Sequence, residues 1–103
     1  MVVLTYVTCK DEEEAEKIAT SLVEKKLVAC VNYFPCKSVF RWKGEVGKKT
    51  EVLLFAKTTQ EKILGVEAEI KKLHSYEFPC ICFYESLTEN IEFGRWVGES
   101  VTR

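Results

Sequence analysis

VVLTYVTCKDEEEAEKIATSLVEKKLVACVNYF, the stretch from Val2 to Phe34, reads as strand, helix, strand. Val2 to Val7 is β-branched and aromatic in the manner of a buried strand. Asp11 then stands where a helix N-cap belongs, with Glu14 three residues on. Glu12, Glu13 and Glu14 put negative charge at the positive end of the helix. Ala15, Ile18, Ala19, Leu22 and Val23 recur at spacings of three and four and make one apolar stripe. Glu16, Lys17 and Glu24 face away from it, and Lys25-Lys26 suit the carbonyl end. Leu27 to Phe34 returns as a strand that Pro35 is expected to interrupt.

Working outward, Ser38 to Trp42 resumes extended character, and Lys43-Gly44-Glu45 reads as a turn with the polar Gly47-Lys48-Lys49 close behind. Glu51 to Lys57 is the next strand. Thr58 opens a second helix, with Glu61 in the capping-box position and Ile63, Val66, Ile70 and Leu73 at helical spacing. His74 to Pro79 is a loop, because Pro79 biases Phe78 away from helix. Cys80 to Tyr84 is a short, wholly apolar strand, and Thr88 caps a last helix with Ile91, Phe93, Trp96 and Val97 on its apolar side. The order β-α-β-β-α-β plus a C-terminal helix predicts an α+β, ferredoxin-like domain over residues 1–103, with helices on one face of an antiparallel sheet.

The other face of that sheet does not read as polar. Val52, Leu54 and Ala56 point one way along their strand while Leu53 and Phe55 point the other, and Cys80 to Tyr84 is apolar on both sides. An apolar second face of that size is an interaction surface, so the pattern predicts a homo-oligomer with packed sheet faces.

Composition excludes several partners. In 103 residues, 47% are apolar and 30% charged, the balance of a folded soluble domain. Fifteen Lys plus Arg against sixteen Asp plus Glu give a formal charge of -1, which supplies no long-range field for nucleic acid or anionic membrane. The longest uncharged run, Leu27 to Cys36, is about half the ~20 residues a membrane-spanning helix needs. Val2-Val3-Leu4 follow Met1 with no basic stretch between, so a secretory leader is not expected. Five cysteines, an odd set without C-x-x-C, fit reduced thiols and a cytoplasmic protein.

Few residues carry chemistry. His74, the one imidazole, follows a helix end, where it can bind a metal, move a proton or meet the last helical carbonyls. Cys80 and Cys82 project from one strand face, as a soft-metal pair or as two core residues. Cys30 with His74 is a conceivable nucleophilic pair, although Cys30 lies in an apolar run where a thiol is inert. Glu51 and Lys57 share a strand face, either as solvated strand-end charges or as parts of a subunit cleft. Trp42, before Lys43-Gly44, closes a hairpin or meets a neighbour.

At Leu27-Val28-Ala29-Cys30-Val31-Asn32, Ser38 through Trp42-Lys43-Gly44, Glu51 to Lys57-Thr58, His74-Ser75-Tyr76-Glu77-Phe78-Pro79 and Trp96, the chain resembles the CutA family of divalent-cation tolerance proteins. The order and spacing hold over nearly the whole length. The resemblance implies a ferredoxin-like subunit in a compact homotrimer, cytoplasmic, linked to tolerance of copper and other divalent ions and able to bind copper. It brings no enzymatic reaction. The family trimer is similar to the PII signalling proteins, which implies as an alternative a regulatory or scaffold trimer binding a small molecule or protein in its intersubunit clefts. Cys30, Trp42, Glu51, Lys57, His74 and Tyr76 match the family pattern and are implied to lie near those clefts. His74 is the implied metal ligand, with a cysteine or Glu77 beside it. The chain departs from the family at Ser75, where a proline is usual. It also has Val7 and Leu73 where some members carry a cysteine and a second histidine as copper ligands.

Overall fold

The computed structural model describes residues 1–102. The first strand, β1 (Val3–Cys9), buries every odd residue. Helix α1 (Glu12–Glu24) starts as expected: the Asp11 carboxylate accepts from the Glu14 N–H at 2.8 Å. Ala15, Ile18, Ala19 and Leu22 are buried, but Val23 is 42% exposed and lies off the stripe. Helix α1 ends on Lys26, at φ 59°. There the N–H groups of Lys26 and Leu27 reach back to the carbonyls of Val23 and Leu22, both at 3.0 Å. This is the closure that usually places glycine at the left-handed position.

The β2 strand (Cys30–Trp42) and the β3 strand (Glu45–Thr58) form one long hairpin, closed by Lys43 and Gly44 at φ 52° and 79°. Positive φ at both turn residues matches the twist of the flanking strands. The register runs unbroken from Cys30 opposite Lys57 to Trp42 opposite Glu45. Two expectations are corrected here. Pro35 does not interrupt β2; it pairs in register with Val52, because β2 is an edge strand and a missing N–H there costs no ladder bond on its open side. Residues 45–50 are strand rather than loop, since the turn is only two residues long.

Thr58 is not a cap. It is the last residue of β3, and its hydroxyl donates to the Leu27 carbonyl at 2.6 Å. A short 3-10 turn (Gln60–Lys62) precedes α2 (Ile63–Leu73), with Thr59 at its start. After a loop come β4 (Ile81–Glu85) and α3 (Ile91–Ser100). Asn90, not Thr88, holds the N-cap position of α3.

The sheet order is β2-β3-β1-β4, antiparallel throughout, as the ferredoxin-like arrangement requires. The core, with Val7, Ile18, Leu22, Leu54, Val66 and Ile70 fully buried, lies between one sheet face and helices α1 and α2. Leu4, Tyr6, Phe34, Leu53, Phe55 and Tyr84 occupy the other face by strand parity. Their rings touch one another, Tyr6 edge-on to Phe55 at 5.6 Å and Phe34 stacked on Phe55 at 6.2 Å. Phe34 and Tyr84 remain 45% and 55% exposed. The apolar second face expected from the pattern is present.

Strand β1 reaches only Val52 of β3. Beyond it, residues 36–51 project as a two-stranded arm, about 23 Å long at strand rise. The arm accounts for the elongated 44 × 26 × 21 Å envelope.

Candidate functional site

The loop after α2 organises two adjoining groups of side chains. His74 caps α2 in extended conformation, its N–H on the Ile70 carbonyl at 2.9 Å. Its ring bridges two backbones: Nδ1 accepts from the Tyr76 N–H at 3.1 Å, and Nε2 lies 2.8 Å from the Thr8 carbonyl. A backbone N–H only donates and a carbonyl only accepts, so these partners assign the neutral Nε2–H tautomer. Ser75, next in line, donates its N–H to Glu14 Oε2 at 2.8 Å, while Glu14 Oε1 accepts from the Lys10 N–H at 2.9 Å. A proline at position 75 has no N–H to give.

Cys9 completes this group. Ligand atoms of Cys9, Glu14 and His74 all lie within 4.8 Å of one another. Burial pushes the Cys9 thiol up to about 12, helped by the charges of Glu14, Glu51 and Asp11. Burial acts to raise Glu14 too, but the hydrogen bonds from Lys10 and Ser75 outweigh it and leave the carboxyl below its ordinary value. Thiol, imidazole and carboxylate are the donors that zinc and copper accept. To take up an ion, the group must release the Cys9 proton and free one His74 nitrogen from its backbone partner.

On the other side of the loop lies an open cleft of about 670 Å³, between the hairpin arm and residues 76–80. Trp42, Glu51, Tyr76 and Glu77 of the expected residues all line it. The Tyr76 hydroxyl donates to Glu51 Oε2 at 2.7 Å. Lys49 Nζ sits 3.7 Å from the same oxygen and 4.1 Å from the centre of the Tyr76 ring. Burial works against the Glu51 charge, but hydrogen bonds from Ser38 and Tyr76 and the nearby ammonium prevail, and its carboxyl is lowered. Burial and then Glu51 push the Tyr76 phenol well up, so it is a neutral donor and Glu51 an ionised acceptor. Trp42 packs against Phe78 at 5.8 Å between ring centres. Phe40 lies across Gly47, its register partner, where any Cβ would come within 2.7 Å of the ring. The glycine is what lets that ring lie flat into the cleft wall.

Cys30 and Lys57 are elsewhere in the chain. They pair with each other at the far end of the sheet, where Lys57 hydrogen-bonds Asn32. Glu51 and Lys57 are therefore about 20 Å apart along β3 and form no pair. Cys30 lies in the row of Leu4, whereas His74 binds at Thr8, four residues or about 13 Å along β1. The nucleophilic pairing of Cys30 with His74 is thus excluded within one chain, and Cys30 is half-buried rather than enclosed. Glu14 and Cys9 are the residues sequence reasoning missed. Glu14 was legible as a cap, but its bond to Ser75 spans 61 positions, which no local pattern reports.

A protein-family model for the CutA1 divalent ion tolerance proteins matches residues 3–100. The chain belongs to the CutA1 family. The divalent-cation tolerance protein CutA of Archaeoglobus fulgidus is 47% identical over 96 residues, covering 93% of this chain and 94% of that protein. The CutA of Thermotoga maritima is 41% identical, covering 96% and 98%. A solved structure of the Archaeoglobus fulgidus protein, described as a periplasmic divalent cation tolerance protein CutA, superimposes with a TM-score of 0.97 at 45% identity, over 99% of this chain and all of that one. The family fold and the ferredoxin-like topology agree. Among the described residues, no helix is long and apolar enough to cross a membrane.

Proposed function

We propose that this CutA1-family chain is a homotrimeric divalent-cation tolerance protein that takes up copper or another divalent ion at His74, with Cys9 and Glu14 as the other donors. The proximity of those three ligand atoms, all within 4.8 Å, is the observation that supports it. The expected alternatives beside His74 were an unspecified cysteine or Glu77. Cys9 supplies the cysteine, and Glu77 belongs to the cleft instead. The ion is cargo or signal, and the reading assigns no reaction to the protein.

The trimer is supported by the exposed aromatic sheet face and by the arm, whose β3 segment 45–51 lacks a partner from β1. An unpaired strand edge beside an apolar face invites a second copy. Cys30 and Lys57, distant from the cleft in one chain, reach a shared cleft only if another subunit supplies them. A cytoplasmic location keeps all five thiols free, which alkylation of freshly lysed cells without reductant counts directly. The similar Archaeoglobus protein is described as periplasmic, and fractionation of the expressing cells separates the two compartments.

The test is an anaerobic calorimetric titration of the reduced protein with Zn(II), a redox-silent divalent probe, followed by copper. One Zn(II) per chain, lost in His74→Ala and weakened in Cys9→Ser, is the expected result. Equal binding by His74→Ala overturns the site. The cleft supports a second reading, a PII-like regulatory trimer, because Tyr76, Glu51 and Lys49 are already fixed around an open volume. That reading predicts a ligand whose binding is lost in Trp42→Ala and untouched by His74→Ala.

A further inference from the structure

Cys80 and Cys82 stand two positions apart where the loop enters β4, with their sulfurs 4.0 Å from each other. Both are free thiols, Cys80 exposed and Cys82 half-buried. Cys82 is the register partner of Tyr6 on the uncovered sheet face, while Cys80 also lines the cleft. We infer that this pair is a two-thiolate site for a soft, thiophilic monovalent cation, with Cu(I) as the test ion. It shares no residue with the cluster at His74 and does not depend on it.

The distance suits an ion better than it suits a disulfide. A metal bound to two sulfurs at about 2.3 Å each spans 4.0 Å at an S–metal–S angle of about 120°, and a small turn of the exposed Cys80 side chain opens it towards the near-linear geometry of two-coordinate Cu(I). In extended chain, Cα atoms two residues apart are separated by about 6.6–6.8 Å, the far limit of the range in which a disulfide closes without strain. The strand geometry therefore favours the dithiol over the disulfide. Thiolates without competing imidazole or carboxylate donors select Cu(I) over hard divalent ions.

The surroundings fit that ligand set. Tyr84 lies on the same strand face as Cys82, two residues along β4, and places a phenol beside the pair. Burial and then the neighbouring Cys82 push the Cys80 thiol up, so Cys80 is protonated when no metal is bound. Binding forms two Cu–S bonds and releases both thiol protons to the buffer, with no change in oxidation state. Because Cys80 opens on the cleft, an ion reaches the pair even where another copy covers the sheet face.

The experiment is an anaerobic competition titration of the reduced, native protein with Cu(I) against a colour-forming Cu(I) chelator. Wild type is compared with Cys80→Ser, Cys82→Ser and the control Cys30→Ser/Cys36→Ser, each checked for wild-type circular dichroism and oligomer mass. The expected result is one Cu(I) per chain, weakened by more than about 100-fold in either single variant. That is the upper end of what even outer-shell changes cost a metal site. The control keeps wild-type affinity, and binding weakens as pH falls. Two results overturn the inference: wild-type affinity in both single variants, or an equal loss in the control, which would mark scattered thiol binding. His74→Gln is predicted to leave Cu(I) affinity unchanged, so this site and the His74 site fail independently.

Discussion

Thr5 turns its hydroxyl into the helix-covered side of the sheet, where the oxygen is buried and has no hydrogen-bond partner among the described residues. An unmet buried hydroxyl costs stability, and a side chain of equal shape without it relieves that cost. Thr5→Val should therefore raise unfolding stability by about 1 kcal/mol in urea, and a loss would mean that the hydroxyl is met by water. Glu14 makes the opposite case. Its two carboxylate oxygens hold the N–H groups of Lys10 and Ser75, and its folded pKa is lowered. A lowered carboxyl stabilises the fold above its unfolded value, near 4.5, and that contribution disappears as pH falls through the folded value. Glu51 acts in the same direction. Glu14→Gln should flatten the acid side of the stability–pH curve and leave the neutral-to-alkaline side parallel to wild type. An unchanged acid slope would show that Glu14 is not coupled to folding. The sequence located His74 at a helix end and Glu14 at a helix start. Their partners, Thr8 and Ser75, were not legible, because hydrogen bonds between residues 66 and 61 positions apart follow from how elements pack.

Among the elements, α1 was readable almost entirely, since Asp11, the acidic first turn and the apolar spacing all act locally. Thr58 shows where such reading fails. A threonine before Glu61 has the form of a cap, yet its hydroxyl is taken by the Leu27 carbonyl, just past the end of α1 and 31 residues away in sequence. Pro35 failed for a related reason, because only the sheet order shows that β2 is an edge. The ends of the elements also carry measurable strain. Lys26 closes α1 at φ 59°, a conformation that costs a residue with a Cβ about 1–2 kcal/mol and glycine little. Lys26→Gly should recover about 1 kcal/mol in thermal or urea unfolding. Gly44, at φ 79°, gives the reciprocal test. A Cβ there meets nothing within 4 Å, so the loss of about 1 kcal/mol expected for Gly44→Ala is backbone strain alone. If Gly44→Ala is neutral, the arm's turn adopts another geometry in solution.

For the whole molecule, the sequence was most informative where strands were apolar on both faces. Leu53 and Phe55, read from alternation, lie with Tyr6 and Phe34 on the sheet face opposite helices α1 and α2. What alternation does not report is the arm, whose length depends on where β1 stops pairing with β3. The proposed trimer uses both features. Phe55→Glu places a charge among those rings and should convert a particle of three 11.9 kDa chains into monomers by sedimentation equilibrium. A wild-type monomer, or an intact Phe55→Glu trimer, would show that this face does not hold the assembly. In the proposed account, assembly and metal uptake meet at residues 74–76, where His74 is a proposed ligand, Ser75 holds Glu14 and Tyr76 reaches Glu51 in the cleft. The most direct measurement is the visible and near-ultraviolet spectrum of the Co(II)-loaded protein, recorded in the Cys80→Ser/Cys82→Ser background to isolate the His74 cluster. The account predicts a thiolate-to-cobalt charge-transfer band with the intense visible bands of four-coordinate cobalt, both lost in Cys9→Ser and in His74→Gln. Weak octahedral bands without thiolate character, unchanged by either substitution, would contradict it.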